Sequence, residues 1–190
     1  MSGESTARLR YLEAVFTCPT VETDRLRLRP FTEADLDRYL AIHTTPEVRA
    51  SLHIADSFDR EAAWGQMAHH LGQWALRHSG QWGVELKSTG ELIGRAGTHR
   101  PERADWPGLE CGWTFDPAHW GRGYATEAGR ATVEWAWANH DVDRLYSVIL
   151  PTNGASQAVA ERLGFTLLEE RTLAFFPSAP HGIWSLARPQ

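Results

Sequence analysis

The segment from Phe115 to Ala128 reads FDPAHWGRGYATEA and joins a predicted strand to a predicted helix through a loop that carries two glycines. Glycine lets the backbone turn tightly and approach a ligand closely. The first N–H groups of a helix have no partner within the helix, and the helix dipole adds partial positive charge there. The segment therefore predicts a cradle for phosphate groups, although a glycine-rich connection that binds no ligand fits the same pattern.

Two common phosphate-binding patterns do not describe this loop. The P-loop pattern Gly-x4-Gly-Lys-Ser/Thr is absent from the chain. The run Gly121-Arg122-Gly123 begins like the dinucleotide fingerprint, but Thr126 stands where that fingerprint needs a third glycine or an alanine. The early strand and helix of the dinucleotide-binding fold are also missing, so both readings are set aside.

Outward from the loop, hydrophobic periodicity predicts one mixed α/β domain with hairpins and at least one strand–helix–strand crossover. Predicted strands cover residues 25–29, 81–87, 91–98, 109–115, 145–150, 165–175 and 183–187. Predicted helices run from Thr32 to before Pro46 and over residues 59–78, 123–139 and 153–163, with a further short helix over Ala7–Phe16.

The helix over residues 59–78 carries an apolar stripe. Trp64, Met67, Leu71 and Trp74 are spaced by three, four and three residues, so they share one face. Such a stripe usually faces the core, and this is the interpretation that we adopt. The alternative is that the two tryptophans form the wall of a pocket.

Length and charge exclude several classes of protein. The chain has 190 residues, 42% of them hydrophobic and 23% charged, which is typical of one globular domain and not of a disordered chain or coiled coil. It has 19 Lys and Arg against 24 Asp and Glu, a net charge of -5, so the basic excess of a nucleic-acid-binding protein is missing. No apolar run approaches the ~20 residues that span a bilayer, so we expect no membrane association.

Neither a disulfide framework nor a metal site is expected. Cys18 and Cys111 are the only cysteines and lie far apart, and the nine histidines show no metal-ligand spacing. Met1 to Leu12 lacks the pattern of a signal peptide. We therefore expect a cytoplasmic protein without a bound metal.

The glycine loop has a specific family resemblance. Residues Trp120–Ala128 resemble the acetyl-CoA pyrophosphate loop of the GNAT superfamily of N-acyltransferases, in particular its ribosomal-protein-alanine acetyltransferase (RimJ/RimL-like) branch. Three further segments resemble that branch: Asn153–Ser156 followed by Glu161–Phe165, Thr23–Pro30, and Glu91–Gly94. The resemblance implies an acetyltransferase domain over residues 21–190, with a mostly antiparallel twisted sheet flanked by helices, after an N-terminal extension of residues 1–20.

The resemblance also implies a reaction. A protein of this kind transfers an acetyl group from acetyl-CoA directly to a primary amine in a ternary complex, and the acceptor expected here is the N-terminal α-amine of a protein or peptide. Two alternatives stay open: a small-molecule amine such as an antibiotic or a polyamine, and a CoA-binding protein without activity. Relatives are monomers or homodimers, and the sequence does not choose between these states.

The implied contacts with acetyl-CoA fall in three segments. The strand before the loop holds the pantetheine arm, the loop and helix start hold the pyrophosphate, and the start of the helix near residue 153 completes the site. The residues are Trp113, Thr114 and Phe115, then Trp120, Gly121, Arg122, Gly123, Tyr124, Ala125 and Thr126, then Asn153 and Ser156.

Two residues are candidates for catalysis. Many relatives place a proton-donating tyrosine where this chain has Ala160, so the resemblance points to Ser156 as the donor to the CoA sulfur. The alternative is that Ser156 caps its helix or touches the pantetheine. Glu110 is the candidate base, unless it is a structural carboxylate paired with Arg95 or His99. An α-amine with a pKa near 7.8 needs only a weak base, whereas a lysine amine near 10.4 needs a strong one.

The expected acceptor pocket lies between the early helices and the loop that joins the last two strands. These segments are residues 50–82 and 175–181. The candidate aromatic walls are Trp64, Trp74, Trp82, Phe175 and Phe176. The acidic balance of the chain is compatible with a cationic acceptor.

Overall fold

A computed structural model describes residues 18–52 and 54–189 of the chain. The helix predicted over Ala7–Phe16 lies outside the described residues. The start of the domain at residue 21 stays a prediction, although the backbone carbonyl of Pro19 already accepts a 2.7 Å hydrogen bond from Trp82 Nε1.

A single sheet of eight strands runs through the described residues in the order β1-β2-β3-β4-β5-β6-β8-β7. The strands are β1 (Val21–Glu22), β2 (Leu26–Arg29), β3 (Gln81–Leu86), β4 (Glu91–His99), β5 (Glu110–Phe115), β6 (Arg144–Ile149), β7 (Thr166–Leu173) and β8 (Phe176–Ala187). Neighbouring strands pair antiparallel except β5 and β6, which are parallel. The predicted mixed α/β domain with a mostly antiparallel sheet is confirmed.

Five α-helices flank the sheet in the described part of the chain. They are α1 (Leu36–His43), α2 (Pro46–Leu52), α3 (Arg60–Arg77), α4 (Tyr124–Asn139) and α5 (Gly154–Arg162). The sequence did not predict α2, because Pro46 was used only as the end of the preceding helix. Proline fits the first turn of a helix, where its missing N–H has no partner to lose, so Pro46 also begins a helix.

Three tryptophans form the centre of the core between α3, β3 and α4. The ring centroids of Trp74 and Trp82 lie 4.6 Å apart, and Trp135 lies 5.0 Å and 5.3 Å from them. Trp74 and Trp82 are fully buried, and their indole N–H groups donate to backbone carbonyls. This cluster fixes α4, and with it the glycine loop, against the sheet.

The predicted apolar stripe of α3 is wrong at one position. The buried residues of the helix are Ala63, Met67, His70, Gln73 and Trp74, whereas Trp64 is 52% exposed. The buried face is rotated by one residue, because His70 packs inward against the buried ring of Tyr39 on α1. A histidine on the core face was not visible in a pattern built from apolar residues alone.

The predicted loop over residues 175–181 is also wrong. Strand β8 begins at Phe176, so β7 and β8 form a hairpin whose turn is Ala174 and Phe175. This longer strand carries Phe176 and His181 beside the open part of the sheet.

Candidate functional site

The parallel strands β5 and β6 separate soon after they meet. They pair at Glu110 and Tyr146, where the Tyr146 N–H donates to the Leu109 carbonyl at 3.0 Å. Two residues further along β6, on the same edge, the Val148 N–H donates to the Glu110 side chain at 3.4 Å. The remainder of β5 pairs only with β4, so a gap opens in the sheet between the ends of β5 and β6.

A cleft of about 1410 Å³ opens at this gap. Its walls are the end of β5, the glycine loop, α4 and α5 along most of their length, the end of α2, and the turn between β1 and β2. The predicted acetyl-CoA contacts that line it are Trp113, Thr114, Phe115, Trp120, Gly121, Gly123, Tyr124, Ala125, Thr126, Asn153 and Ser156. Arg122 is not among the lining residues.

The glycine loop needs both of its glycines. Gly121 has a φ of 72° and Gly123 a φ of 82°, and this left-handed region strains any residue with a Cβ. Gly123 is the N-cap of α4, so the N–H groups of the first turn lie at the cleft without partners in the helix. The Trp120 indole N–H closes the loop by donating to the Phe115 carbonyl at 2.8 Å.

Arg25 fastens the loop to the turn between β1 and β2, which the sequence did not predict. Its guanidinium donates to the Arg122 carbonyl at 3.0 Å and to Glu127 at 2.6 Å, and stacks 4.5 Å from the centre of the Tyr124 ring. Burial opposes ionisation of Glu127, but hydrogen bonds from Thr23 and Arg25 hold its pKa below the ordinary value. Arg122 thus contributes its backbone carbonyl to the contact that holds the loop. The alternating arginines that lead into and through β2 were the signal in the sequence that could have indicated a role for Arg25.

Three further features fit a phosphorylated thioester such as acetyl-CoA. Thr114 Oγ1 is buried at the cleft and has no hydrogen-bond partner among the described residues. Arg130 on α4 and Arg162 on α5 also line the cleft, and in the described part of the chain neither has a carboxylate within ion-pair distance. The sequence did not predict that these arginines line the cleft. Each lies about two turns after the start of a helix that begins in one of the two motifs.

Asn153 and Ser156 organise the start of α5. The Asn153 side chain accepts from the Ser156 N–H at 3.0 Å, so Asn153 is the cap of the helix. Its amide nitrogen also donates to the Ser51 carbonyl on α2 at 3.4 Å. The Ser156 hydroxyl has no partner among the described residues, so the cap is formed by Asn153 and the hydroxyl remains available to a ligand.

A second, smaller cavity of about 300 Å³ lies on the other side of this point. It shares five lining residues with the cleft: Ser51, Leu52, Trp113, Asn153 and Ser156. The two spaces therefore meet at the gap between β5 and β6. A ligand in the cleft and one in the smaller cavity can contact each other there.

Glu110 lies in the smaller cavity and is paired. Its carboxylate accepts from His99 Nδ1 at 3.1 Å and from the Val148 N–H, and its side chain is 13% exposed. The structural pairing with His99 that the sequence left open is therefore present. Glu110 lines the cavity even while it is paired with His99, so this pairing is compatible with a role as the base.

Of the predicted acceptor walls, Phe175 and Phe176 line the smaller cavity and the three tryptophans do not. Both phenylalanines line the smaller cavity, but Trp74 and Trp82 lie in the core, and Trp64 is exposed outside it. Helices α2 and α3 line it instead through small, polar and aliphatic residues. These are Ser51, Leu52, Gln66, His69 and His70.

Comparison with known proteins decides the family. Residues 25–166 match the family model described as an acetyltransferase (GNAT) domain. The chain belongs to the GNAT family of acetyltransferases. It is an acyltransferase, and the acyl donor of the family is acetyl-CoA.

Individual GNAT proteins support this assignment over most of the chain. An acetyltransferase from Agrobacterium tumefaciens str. C58 is 34% identical, with a TM-score of 0.77 over 91% of this chain and 96% of that one. The uncharacterized N-acetyltransferase YoaA of Bacillus subtilis (strain 168) is 28% identical over 151 residues, which are 77% of this chain and 82% of YoaA. RimL, titled a ribosomal L7/L12 alpha-N-protein acetyltransferase in complex with coenzyme A, shares the fold at 15% identity, with a TM-score of 0.71 over 89% of this chain and 98% of RimL.

The described residues contain neither a metal-binding cluster nor a membrane-spanning helix. Among residues 18–52 and 54–189, no group of three or more His, Cys, Asp or Glu side chains could hold a metal ion. In the same residues, no helix is both long enough and apolar enough to cross a bilayer.

Proposed function

We propose that this protein transfers the acetyl group of acetyl-CoA directly to a primary α-amine while both substrates are bound. The observation that carries the proposal is the meeting of the two cavities at Trp113, Asn153 and Ser156. The larger cavity takes the acyl donor and the smaller one takes the amine. No covalent acyl-enzyme is needed, because the two ligands meet at the gap in the sheet.

When bound, acetyl-CoA supplies a thioester whose carbonyl carbon gains a bond to the amine nitrogen and loses its bond to sulfur, giving an amide, CoA thiol and one released proton. The N–H groups of Gly123, Tyr124 and Ala125 bind the pyrophosphate at the start of α4. Arg130 and Arg162 supply positive charge at the same cleft. The open edge of β5 binds the pantetheine arm near Thr114.

Ser156 and Glu110 divide the proton transfers. Glu110 takes a proton from the incoming ammonium group, directly or through His99, and so frees the lone pair that attacks. Ser156 donates its hydroxyl proton to the departing sulfur and regains one from the attacking nitrogen, which loses its second proton as the amide forms. A carboxylate is a weak base, so we propose an α-amine, which loses its proton readily, as the acceptor in preference to a lysine side chain.

We propose a peptide or protein N-terminus, as in the RimJ/RimL-like branch, as the source of the α-amine. RimL, a ribosomal L7/L12 alpha-N-protein acetyltransferase of the same fold, supports this choice of amine. A small-molecule amine is the second candidate, because a cavity of about 300 Å³ encloses a small ligand or only the first residue of a peptide.

The test is the release of free CoA thiol from acetyl-CoA by the purified protein with a panel of peptides and small amines. We expect release that depends on the amine, with α-amines preferred over lysine side chains. Mass spectrometry of the product should show one acetyl group on the α-nitrogen. Failure to bind acetyl-CoA, or tight binding without turnover of any amine, would contradict the proposal.

A further inference from the structure

We propose that the smaller cavity selects an acceptor that carries a carboxylate beside its amine, and that Arg95 and Arg103 bind this carboxylate. The inference rests on the proposed function and names the chemical class of its acceptor. It assigns a role to two cationic side chains that the transfer reaction itself does not use.

Arg95 reaches the cavity from the middle of β4 with only neutral partners. Its Nη1 donates to Gln81 Oε1 at 2.8 Å, and its Nε donates to His43 Nε2 at 3.3 Å. Burial and the charge of Arg95 lower the pKa of His43 to about 3, so the ring is neutral. Among the described residues, no carboxylate lies within ion-pair distance of Arg95. A partly buried guanidinium with neutral partners is incompletely compensated until an anion arrives.

Arg103 reaches the same cavity from the loop between β4 and β5. Its guanidinium stacks 3.3 Å from the centre of the Phe175 ring and 4.8 Å from that of Trp106. It too has no carboxylate within ion-pair distance in the described part of the chain. Stacking on aromatic faces orients the guanidinium and leaves its N–H groups, which lie in its own plane, free to donate.

A third donor lies beside these arginines. The indole Nε1 of Trp106 is buried, lines the cavity with its ring, and has no hydrogen-bond partner among the described residues. An indole N–H can only donate, so its partner in a complex must be an acceptor atom. A carboxylate supplies several acceptor lone pairs, whereas an ammonium or amide N–H supplies none.

The distribution of charge in the cavity sets the direction of the ligand. Among the described residues that line it, Glu110 is the single carboxylate, and Arg95 and Arg103 are the cations. The local balance is therefore positive, opposite to the net charge of -5 for the whole chain. The amine of the acceptor belongs at Glu110, and its carboxylate belongs at the arginines.

Two of the histidines that line the cavity, His69 and His70, add no positive charge to it. Burial, with a contribution from neighbouring charges, lowers the pKa of His69, and it lowers that of His70 strongly. Both rings are therefore neutral near pH 7 and leave the charge balance of the cavity unchanged. They enclose the cavity together with Phe175 and Phe176.

Two sources can present a carboxylate beside an α-amine. One is a free amino acid, through its own carboxylate. The other is a peptide whose first residue is Asp or Glu, through the side chain. Both fit a cavity of about 300 Å³, and the experiment separates them.

The experiment compares acceptors that differ only in the charge of one group. Free amino acids are tested against their amides, and the amidated peptide Asp-Ala-Ala is tested against Asn-Ala-Ala, at equal concentrations of the neutral amine. The kcat/KM for CoA release should be about tenfold or more higher for the charged member of a pair. Preference in the first pairs identifies a free amino acid, and preference in the second pair identifies an acidic peptide end. Equal values within both kinds of pair would overturn the inference.

Substitutions test whether Arg95 and Arg103 cause the preference for an acceptor with a carboxylate. Arg103→Gln should raise KM for the charged acceptor about tenfold and leave KM for the uncharged one unchanged, whereas Arg60→Gln, an exposed arginine on α3, should change neither. Arg95→Lys retains a charge and should keep part of the preference that Arg95→Gln loses, provided that melting temperatures show both to be folded. A preference that survives Arg103→Gln and Arg95→Gln together would contradict the assignment.

A binding measurement separates failure of the inference from failure of the proposed function. The same pairs are titrated calorimetrically into the protein saturated with CoA, where no turnover occurs. Tighter binding of the charged member supports the inference even if the rates were to contradict the proposed α-amine transfer. Equal affinity, or no heat with either member, overturns the inference while amine-dependent CoA release still supports the proposed function.

Discussion

The side chain of Ser156 lies at the junction of the two cavities, and its hydroxyl has no partner among the described residues. A hydroxyl in this position can donate to the departing sulfur. A thiol has a pKa near 8.5, so a thiolate leaves with little help from an acid. The contribution of Ser156 should therefore be modest.

We predict that Ser156→Ala lowers kcat by less than about tenfold and leaves KM for acetyl-CoA nearly unchanged. The helix cap should survive because Asn153 forms it with the backbone N–H of residue 156. Steady-state CoA release measures the effect, with Ser88→Ala in the β3–β4 turn as the control. A saturated rate equal to wild type would remove Ser156 from the mechanism.

For Glu110 we predict a change in the pH–rate profile. Glu110→Gln keeps an oxygen that accepts from the Val148 N–H but cannot take a proton. In the pH profile of kcat/KM, the part that rises with pH should lose the contribution of this carboxylate. The rate of the variant should then follow only the fraction of the amine that is neutral. Profiles of both proteins with one α-amine acceptor provide the measurement. Identical profiles would show that Glu110 is only the partner of His99.

The sequence revealed only part of the candidate site at the level of single residues. The predicted contact residues of the two motifs, except Arg122, line one cleft, because backbone turns and helix starts are encoded locally, and their contact with acetyl-CoA stays a prediction. Arg25, which lines the cleft, and Arg95 and Arg103, which line the smaller cavity, were missed, because their long side chains reach these spaces from a turn, a strand and a loop. Only tertiary structure brings such side chains together.

At the scale of elements, the loop between β5 and α4 couples fold and binding. The positive φ of Gly123 allows the backbone to enter α4 with its N–H groups at the cleft. A β-branched residue is strained at this φ. Gly90 in the β3–β4 turn is a control position for the same backbone strain, because it has a φ of 73° and open space around it.

We predict that Gly123→Val abolishes measurable acetyl-CoA binding in a folded protein. Its Cβ would lie 3.5 Å from an Arg25 guanidinium nitrogen, so the added methyls also disturb the contact that fastens the loop. Gly90→Val is the matched control and should lower the melting temperature without changing affinity. Calorimetric titration with acetyl-CoA decides, and wild-type affinity of Gly123→Val would contradict a backbone cradle.

Helices and strands could be predicted from the sequence where local signals agreed. The predictions failed where packing between distant segments decided the structure. The helix start at Asn153, the left-handed Gly164 and the strand–loop–helix around Gly123 all matched the structure. The exposure of Trp64 could not be read from spacing, because a stripe through His70 competes with one through Leu71. The early start of β8 depends on pairing with β7, which is not a local property.

At the scale of the whole molecule, buried neutral histidines link stability to pH. Burial and Arg95 lower the pKa of His43 to about 3, and burial lowers that of His70 far below its ordinary value. In the unfolded chain both titrate near 6.5. The unfolded state therefore binds more protons below pH 6.5, so their stabilisation is complete above that pH and is lost as the pH falls towards 3.

We predict that His43 makes the free energy of unfolding fall by about 1.4 kcal/mol per pH unit between pH 6 and pH 4, because its pKa is lowered to about 3 in the folded protein. His43→Gln should make this dependence shallower by about that amount per pH unit. Denaturant titrations at several pH values measure it, with His78→Asn, an exposed residue after α3, as the control. An unchanged slope for His43→Gln would contradict the assignment of a neutral His43.

The central claim is that two cavities meeting at the β5–β6 gap let acetyl-CoA and an amine react while both are bound. The most direct measurement is the initial velocity of CoA-thiol release with both substrates varied. Double-reciprocal plots should give intersecting lines, with no CoA release in the absence of amine. Parallel lines, which indicate a covalent acetyl-enzyme, or release that does not depend on the amine, would contradict the account.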